Sequence, residues 1–402
     1  MNDHAPKHKP HPADTASEKW LSLQLNASAG AKKANLILIS LLGAFIVSVA
    51  ILIFLLPKPY KSENENRVLA NLPTFSVSSL CDGEFAEGLS DFYADRIPCR
   101  DLLIRLRSLT ELAALRLECG GILLGNGGYL VDRLEYGEAE YENMRLNFAS
   151  VDRFAEKSGI SVTVAVMPRS IDVMKDVLHP FFSTERAEAA YGHLPSYALT
   201  FDSLLYGHAA DGEYVWYKTD HHFTTLGAYY VYAALGAELG YTPYPIDFFT
   251  QHTVSSDFLG TSYSAAGLPV ISPDRLTLFR YDGDGDYTVS FGSKSLQGFY
   301  DESFLSEKDK YSVFLGGNHA LTSIKGKGNR ETLVVVKDSF SHALTPFLAL
   351  HFDLELVDLR YYTSSVKQLC EDAEAKRLLV LCGIDSLASA PDLRRLEQGL
   401  YS

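Results

Sequence analysis

An α/β protein is predicted, with a mostly parallel sheet covered by helices on both faces. Three observations predict it. Short apolar, β-branched runs recur at residues 162–166, 214–217, 312–315, 333–336, 354–357 and 378–381. Helical runs follow several of them, at 225–239, 343–351 and 364–375, and strands that read as unbroken apolar stretches are those buried on both faces. A composition of 47% hydrophobic and 12% aromatic residues over 402 positions supplies a core for one large or two modest domains and argues against wholesale disorder.

In chain order, residues 1–33 are polar and proline-rich and are expected to form a disordered, cytoplasmic tail. His4, His8 and His11 within it read as solvated side chains rather than as a weak metal site. Residues 34–57 carry no charge, and 36–56 are almost wholly apolar, the roughly 20 residues that a helix needs to cross a bilayer. The run exceeds a usual signal-peptide core and no small-x-small cleavage site follows it, so an uncleaved lipid-bilayer anchor is expected, with a cleaved signal as the alternative. Lys32 and Lys33 abut its start, with Lys7, Lys9 and Lys19 upstream, against Lys58 and Lys61 beyond its end. That balance slightly favours a cytoplasmic amino terminus, a single pass through the cell membrane and an extracytoplasmic remainder.

Residues 58–119 are expected to hold an extended linker and then a helical segment. Over 82–118 the apolar positions keep a helical period, and Pro98 divides it into two helices. Residues 122–131 read as a hairpin around Asn126-Gly127, and 120–402 as the α/β domain, with a helix over 138–158. Residues 243–310 break the strand–helix alternation. Asp282-Gly283-Asp284-Gly285-Asp286 within them fails the EF-hand test, because the twelfth position is Ser293 rather than Glu, so an acidic turn is expected.

The net charge is −14, and residues 1–35 carry five lysines against three acids, so the remainder is more acidic still. Such a surface excludes nucleic acid as a partner, since phosphate neutralisation needs stripes of Lys and Arg. Five cysteines (Cys81, Cys99, Cys119, Cys370, Cys382) follow the apolar run at no metal spacing. Cys81 with Cys99 can pair in an oxidising exterior, and buried free thiols are the equal alternative.

Two distant segments carry the chemistry. Asp220-His221-His222 precedes a helix, and the apolar strand 333–336 runs through Lys337 and Asp338 to Ser339. Acid, imidazole and strand-end hydroxyl are the three parts of an activated serine nucleophile. A hydroxyl there points out of the sheet edge, beside backbone N–H groups of the next helix, and Pro346 suits that helix's first turn. Asp338-Ser339 is equally an N-cap pair, Asp220-His221-His222 a plain helix-entry turn or a metal site, and Gly316-Gly317-Asn318 a common turn. In the chemical reading, Gly317 and the Asn318 amide face an oxyanion, and Arg360 and Tyr361 line the substrate pocket or else the core.

Tyr217-Lys218-Thr219-Asp220-His221-His222, with Gly227-Ala228-Tyr229-Tyr230 after it, resembles the signature of the bacterial DHHW proteins. Ser62-Glu63-Asn64-Glu65-Asn66-Arg67, Asp95-Arg96, Gly316-Gly317-Asn318-His319, Lys337-Asp338-Ser339-Phe340 and Asp358-Leu359-Arg360-Tyr361-Tyr362 match it in order, so the resemblance covers roughly 62–402. That group is similar to the SGNH-hydrolase-like proteins that O-acetylate exopolysaccharides such as alginate, in which Asp-x-His lies upstream of Asp-Ser-Phe. The resemblance implies an SGNH-like three-layer sandwich in which Asp220 orients His222 and His222 activates Ser339. His221 takes the variable middle place, and Phe223 stands where Trp is typical.

It further implies a membrane-anchored O-acyltransferase or esterase acting on cell-envelope or exopolysaccharide glycan. No cofactor and no metal are expected, and a membrane-bound O-acyltransferase is the implied partner that supplies the acyl group. Two rival readings use the same residues. One is a catalytically silent glycan-binding or scaffolding protein of the same fold, its tyrosines stacking on sugar. The other is a metal-dependent hydrolase. A Ser339 Oγ to His222 nitrogen distance beyond about 5 Å would favour the silent protein.

Overall fold

The computed structural model describes residues 12–56, 61–62, 67–133 and 135–400. The chain divides into two compact units, 1–61 with 68–100, and 62–67 with 101–402.

In the first unit, helix α1 (Pro12–Leu55) starts on a proline, whose missing N–H costs nothing at a first turn. The tail expected over 1–33 is therefore helical from residue 12, and residues 1–11 lie outside the described residues. The stretch Ala31–Leu55 is long and apolar enough to cross a membrane, by length and composition. Part of the expected linker, 57–60 and 63–66, lies outside the described residues. Helix α2 (Glu84–Arg96) clamps Ala70 at its end, where Asp95 accepts the Ala70 N–H at 2.8 Å and Arg96 Nη2 donates to the Ala70 carbonyl at 3.1 Å. Cys81 and Cys99 are both exposed and free rather than joined.

Helix α3 (Arg100–Ala113), which belongs to the second unit from Asp101 onward, begins just beyond Pro98, where the break is expected. Ile122–Leu124 pairs antiparallel with Leu130–Asp132, and Gly127 and Gly128, at φ of 71° and 83°, turn the chain between them. Helix α4 (Glu138–Ser158) precedes an eight-stranded sheet. Its strands are β1 (Ser161–Met167), β2 (Leu199–Thr200), β3 (Thr288–Phe291), β4 (Lys294–Gln297), β5 (Leu321–Lys325), β6 (Thr332–Lys337), β7 (Asp353–Val357) and β8 (Arg377–Gly383). The spatial order is β4-β3-β5-β7-β6-β8-β1-β2, with β7, β6, β8, β1 and β2 parallel and the other three antiparallel at one edge.

Side chains of a strand alternate between faces, and the core divides accordingly. Leu333 and Val335 of β6 join one cluster, together with Val231 and Leu235 of α5 (Thr225–Leu239) and Leu344 and Phe347 of α6 (Ser341–Leu348). Val334 and Val336 join the other, with Met144, Phe148, Val151 and Phe154 of α4 and Val366 of α7 (Val366–Asp372). Helices thus cover both faces of a mixed, mostly parallel sheet, the three-layer arrangement expected.

Three local expectations are corrected. Residues 214–217 and 312–315 are not sheet strands: Trp216 makes an isolated bridge to Phe223, and Lys310–Val313 is a 3-10 turn with Phe314 bridging Tyr300. Trp216, Tyr217, Val313 and Phe314 are fully buried, so their apolar character records enclosure, which looks alike in a strand and in a packed loop. Pro346 is the sixth residue of α6, not in its first turn. Residues 243–310 supply an antiparallel ribbon (Thr250–Phe258 with Asp274–Arg280) and the two edge strands β3 and β4.

Candidate active site

Parallel strands aim their carboxyl ends at one edge of the sheet, where binding crevices form. At that edge β6 ends on Lys337, and the chain turns through Asp338-Ser339 into α6. Asp338 shapes the turn: one carboxylate oxygen accepts the Phe340 N–H at 3.0 Å. The other accepts the Gly383 N–H at 2.6 Å and the Ser386 hydroxyl at 2.7 Å, strapping the turn to the end of β8. Ser339 is left half-buried, its Oγ 2.7 Å from His222 Nε2.

His222 arrives on a loop before α5, and Asp274 anchors that loop. Its carboxylate accepts the Lys218 N–H at 2.9 Å, the Thr219 N–H at 2.8 Å and the Thr219 hydroxyl at 2.5 Å, and also the Tyr214 hydroxyl. Thr224 caps α5 by accepting from the Gly227 N–H, which ends the loop at a defined point. Asp220 Oδ1 lies 2.5 Å from His222 Nδ1, while Oδ2 accepts the Thr261 N–H at 2.9 Å and its hydroxyl at 3.1 Å. Gly260 makes room for this carboxylate, since a Cβ there would sit 2.2 Å from Asp220 Oδ2. Tyr311 stacks flat on the His222 ring at 4.0 Å, and Phe340 meets it edge-on at 5.0 Å. Phe223, in the place where Trp is typical, is fully buried and packs at 5.2 Å on Phe340, the same ring that meets His222 edge-on.

Burial would raise the Asp220 carboxyl, but the two neighbouring imidazoles, and the hydrogen bonds from His222 and Thr261, outweigh it and hold Asp220 below the usual carboxylate range. Burial, with His221 close by, pulls His222 below the ordinary imidazole value against the opposing pull of Asp220. A neutral imidazole with an ionised carboxylate on Nδ1 presents a bare Nε2 to the Ser339 hydroxyl, the state a general base requires. The ligand atoms of Asp220, His221 and His222 also cluster within 4.8 Å, as a cation would need. Both nitrogens of His222 are engaged by Asp220 and Ser339, and His221 Nδ1 meets the Thr261 hydroxyl at 2.5 Å, so a cation there would compete with each of those bonds.

The remaining expected residues meet in a second network. Leu315, Gly316 and Gly317 all have positive φ, of 61°, 70° and 91°, which favours glycine at the last two. The Gly317 N–H donates to the Phe314 carbonyl at 3.2 Å instead of facing an open site. Asn318 is exposed, and its Oδ1 accepts from Arg360 Nη2 at 3.2 Å, so the bond to Arg360 does not use its NH2. Arg360 is held by Asp358, through Nε at 2.8 Å and Nη2 at 2.6 Å. Lys337 lies buried beneath, 3.4 Å from Asp358 and 2.9 Å from His342 Nε2. Tyr361 is exposed, with the Arg360 guanidinium 5.5 Å from its ring.

Asp274, Gly260, Thr261 and Tyr311 escaped the sequence reading. Asp274, Gly260 and Thr261 lie beside no motif, Tyr311 directly precedes the run at 312–315, and each acts across the fold. For Asp274 the signal was a Pro-Asp turn in the segment without helix signals; for Tyr311 there was none beyond its aromatic character.

Residues 200–357 match the family model described as DHHW protein. A DHHW family protein from Eubacterium siraeum is similar at 20% identity over 70% of this chain and 96% of its own, with a TM-score of 0.55. Bacillus cereus PatB1 with a sulfonyl adduct is similar at 16% identity over 67% of this chain and 97% of its own, TM-score 0.55. The O-acetyltransferase domain of Pseudomonas putida AlgJ is matched at 13% identity over 67% and 93%, with a TM-score of 0.44. No curated protein sequence matches significantly. At these identities the likeness to the first two structures is one of fold.

Proposed function

We propose that the protein is a membrane-anchored, extracytoplasmic O-acyltransferase or esterase that acts on cell-envelope or exopolysaccharide glycan through Ser339, His222 and Asp220. The observation that carries this reading is the row Asp220–His222–Ser339, with contacts of 2.5 and 2.7 Å. A silent binding protein has no need of a half-exposed serine at hydrogen-bond distance from a buried imidazole and carboxylate.

Ser339 Oγ attacks the acyl carbonyl as His222 Nε2 takes its proton. The tetrahedral intermediate collapses, the donor's leaving group departs with that proton, and an acyl ester remains on Ser339. A sugar hydroxyl, or water in the esterase case, then attacks the ester. His222 removes its proton and returns it to Ser339 as the acyl group leaves. The Ser339 N–H and the Asn318 NH2 serve the oxyanion. Arg360, rather than touching substrate, fixes the Asn318 amide by binding its oxygen. An acyl donor inside the cell requires a membrane-bound O-acyltransferase to pass the group outward.

The full chain in detergent tests this with phenylmethylsulfonyl fluoride, a reagent chosen because PatB1, of the same fold, carries a sulfonyl adduct. Adduct mass on the peptide of Ser339, absent from Ser339→Ala and slowed in His222→Ala, is the expected result. Labelling elsewhere, or equal labelling in Ser339→Ala, would remove the mechanism.

A further inference from the structure

The binding edge extends past the nucleophile. In the parallel registry Val336 of β6 pairs with Val380 of β8, and Gly383 of β8 with Met167 of β1, so the chain leaves all three strands at one edge. Adjacent strands lie about 4.8 Å apart, which sets the exit of β1 roughly 10 Å along the edge from Ser339. Hydrogen bonds bridge that distance. Thr261, which touches both Asp220 and His221, is followed by Ser262, whose hydroxyl donates to Asp132 at 2.9 Å. The Asp132 N–H is bonded in turn to the Ser170 hydroxyl at 3.0 Å. The next residues along, Arg133 and Ile171, line a pocket of about 410 Å3, within the usual range of small-ligand sites.

The pocket is built from two kinds of surface. Leu123, Ile171 and Phe182 are apolar lining, and Phe181 stands 86% exposed beside them. A ring that open offers a face on which a ligand ring can stack. The other lining is a charge-balanced fork: Glu135 accepts from Arg133 Nη2 at 2.9 Å and Arg186 Nη1 at 2.8 Å, and Arg133 also donates to Glu118 at 2.7 Å. Both guanidiniums are already neutralised by carboxylates, so a phosphate or carboxylate ligand would gain little. Planar donors and acceptors beside an aromatic platform match a neutral ring bearing hydroxyls on its edge and C–H groups on its face.

We propose that this pocket holds a neutral sugar unit of the acceptor glycan, a short way along the chain from the hydroxyl that Ser339 serves. The assignment rests on the glycan reading above and adds where the acceptor is gripped. Phe181 supplies the platform, and the Arg133–Glu135–Arg186 fork supplies the hydrogen bonds.

The test is titration calorimetry of chitopentaose, a neutral β-linked oligosaccharide, into the full-length Ser339→Ala protein in detergent. Phe181→Ala is expected to weaken binding about tenfold, the worth of one aromatic stacking contact. Phe181→Trp, which keeps the platform, should bind as tightly as the parent, and melting curves of both variants should overlay it. No binding to the parent, or equal binding by Phe181→Ala, overturns the proposal. Sulfonyl labelling of Ser339 in an otherwise unaltered chain is read separately, so failure here is distinguishable from failure of the catalytic reading.

Discussion

Replacing Asp220 by Asn keeps the size of the side chain and removes one charge. In the native site one carboxylate oxygen faces His222 Nδ1 at 2.5 Å and the other takes two bonds from Thr261. The two Thr261 donors outweigh the single His222 backbone N–H that also reaches Oδ1 at 3.1 Å, so the amide oxygen of Asn stays on the Thr261 side and its NH2 faces the imidazole. An NH2 there demands an unprotonated Nδ1, which moves the ring proton to Nε2 and points it at Ser339. The base is then in the wrong tautomer, a change that costs about ten-thousand-fold in kcat, or about 5 kcal/mol of transition-state stabilisation, in a serine triad. The pH profile adds an independent sign. His222 already lies below its ordinary value because of burial, so activity should be level at neutral pH and fall as acid protonates Nε2. Removing the Asp220 anion takes away the influence that favours the imidazolium, and the acid limb of the residual activity should move to lower pH. Hydrolysis of p-nitrophenyl acetate by the full chain, followed across pH, measures both effects. Activity within about threefold of the parent, where a wrong-tautomer base predicts a loss of orders of magnitude, would refute the reasoning.

Other variants probe the supports. Gly260→Ala brings a methyl to 2.2 Å from Asp220 Oδ2, so it should displace the carboxylate, abolish most turnover and cost about 1–3 kcal/mol in thermal melts. Arg360→Ala frees the Asn318 amide to rotate and should lower kcat about tenfold or more, part of the value of one oxyanion donor, with KM nearly unchanged. Lys337→Ala leaves Asp358 paired with Arg360 but removes the partner of the buried His342 ring, and should destabilise by about 1–3 kcal/mol by denaturant titration, the cost of one unsatisfied buried polar group. Burial pushes Asp385 up to about 6 from 3.8; the native state then holds this proton more tightly than the unfolded chain, and stability falls as pH rises through that window. Asp385→Asn should flatten that part of the melting-temperature profile, and an unchanged slope would contradict the assignment.

The sequence reading was most reliable where periodicity and burial coincide. The runs at 162–166, 333–336, 354–357 and 378–381 are sheet strands because apolar residues on both of their faces pack beneath helices. The run at 214–217 failed for an instructive reason: Trp216 and Tyr217 are as buried as any strand residue, yet their neighbours turn sharply so that Asp274 can hold the loop carrying Asp220 and His222. Long-range polar anchors of this kind leave no period in the sequence. Gly317 illustrates a second limit. A Gly-Gly-Asn turn suggested an amide facing an oxyanion, but the positive φ values that favour glycine fold that N–H back onto Phe314. Arg360 was legible as a polar residue near the site; that it faces Asn318 depends on the buried Asp358 below it.

The central claim is that Ser339 is a nucleophile served by His222, and one measurement tests it most directly. The full chain is incubated with p-nitrophenyl acetate, quenched in acid and digested, and the acetyl group is mapped by mass spectrometry. The account predicts acetylation on Ser339 that disappears in His222→Ala. An intact, folded protein that releases p-nitrophenol with no acetyl on Ser339, or acetylates it equally without His222, would contradict it.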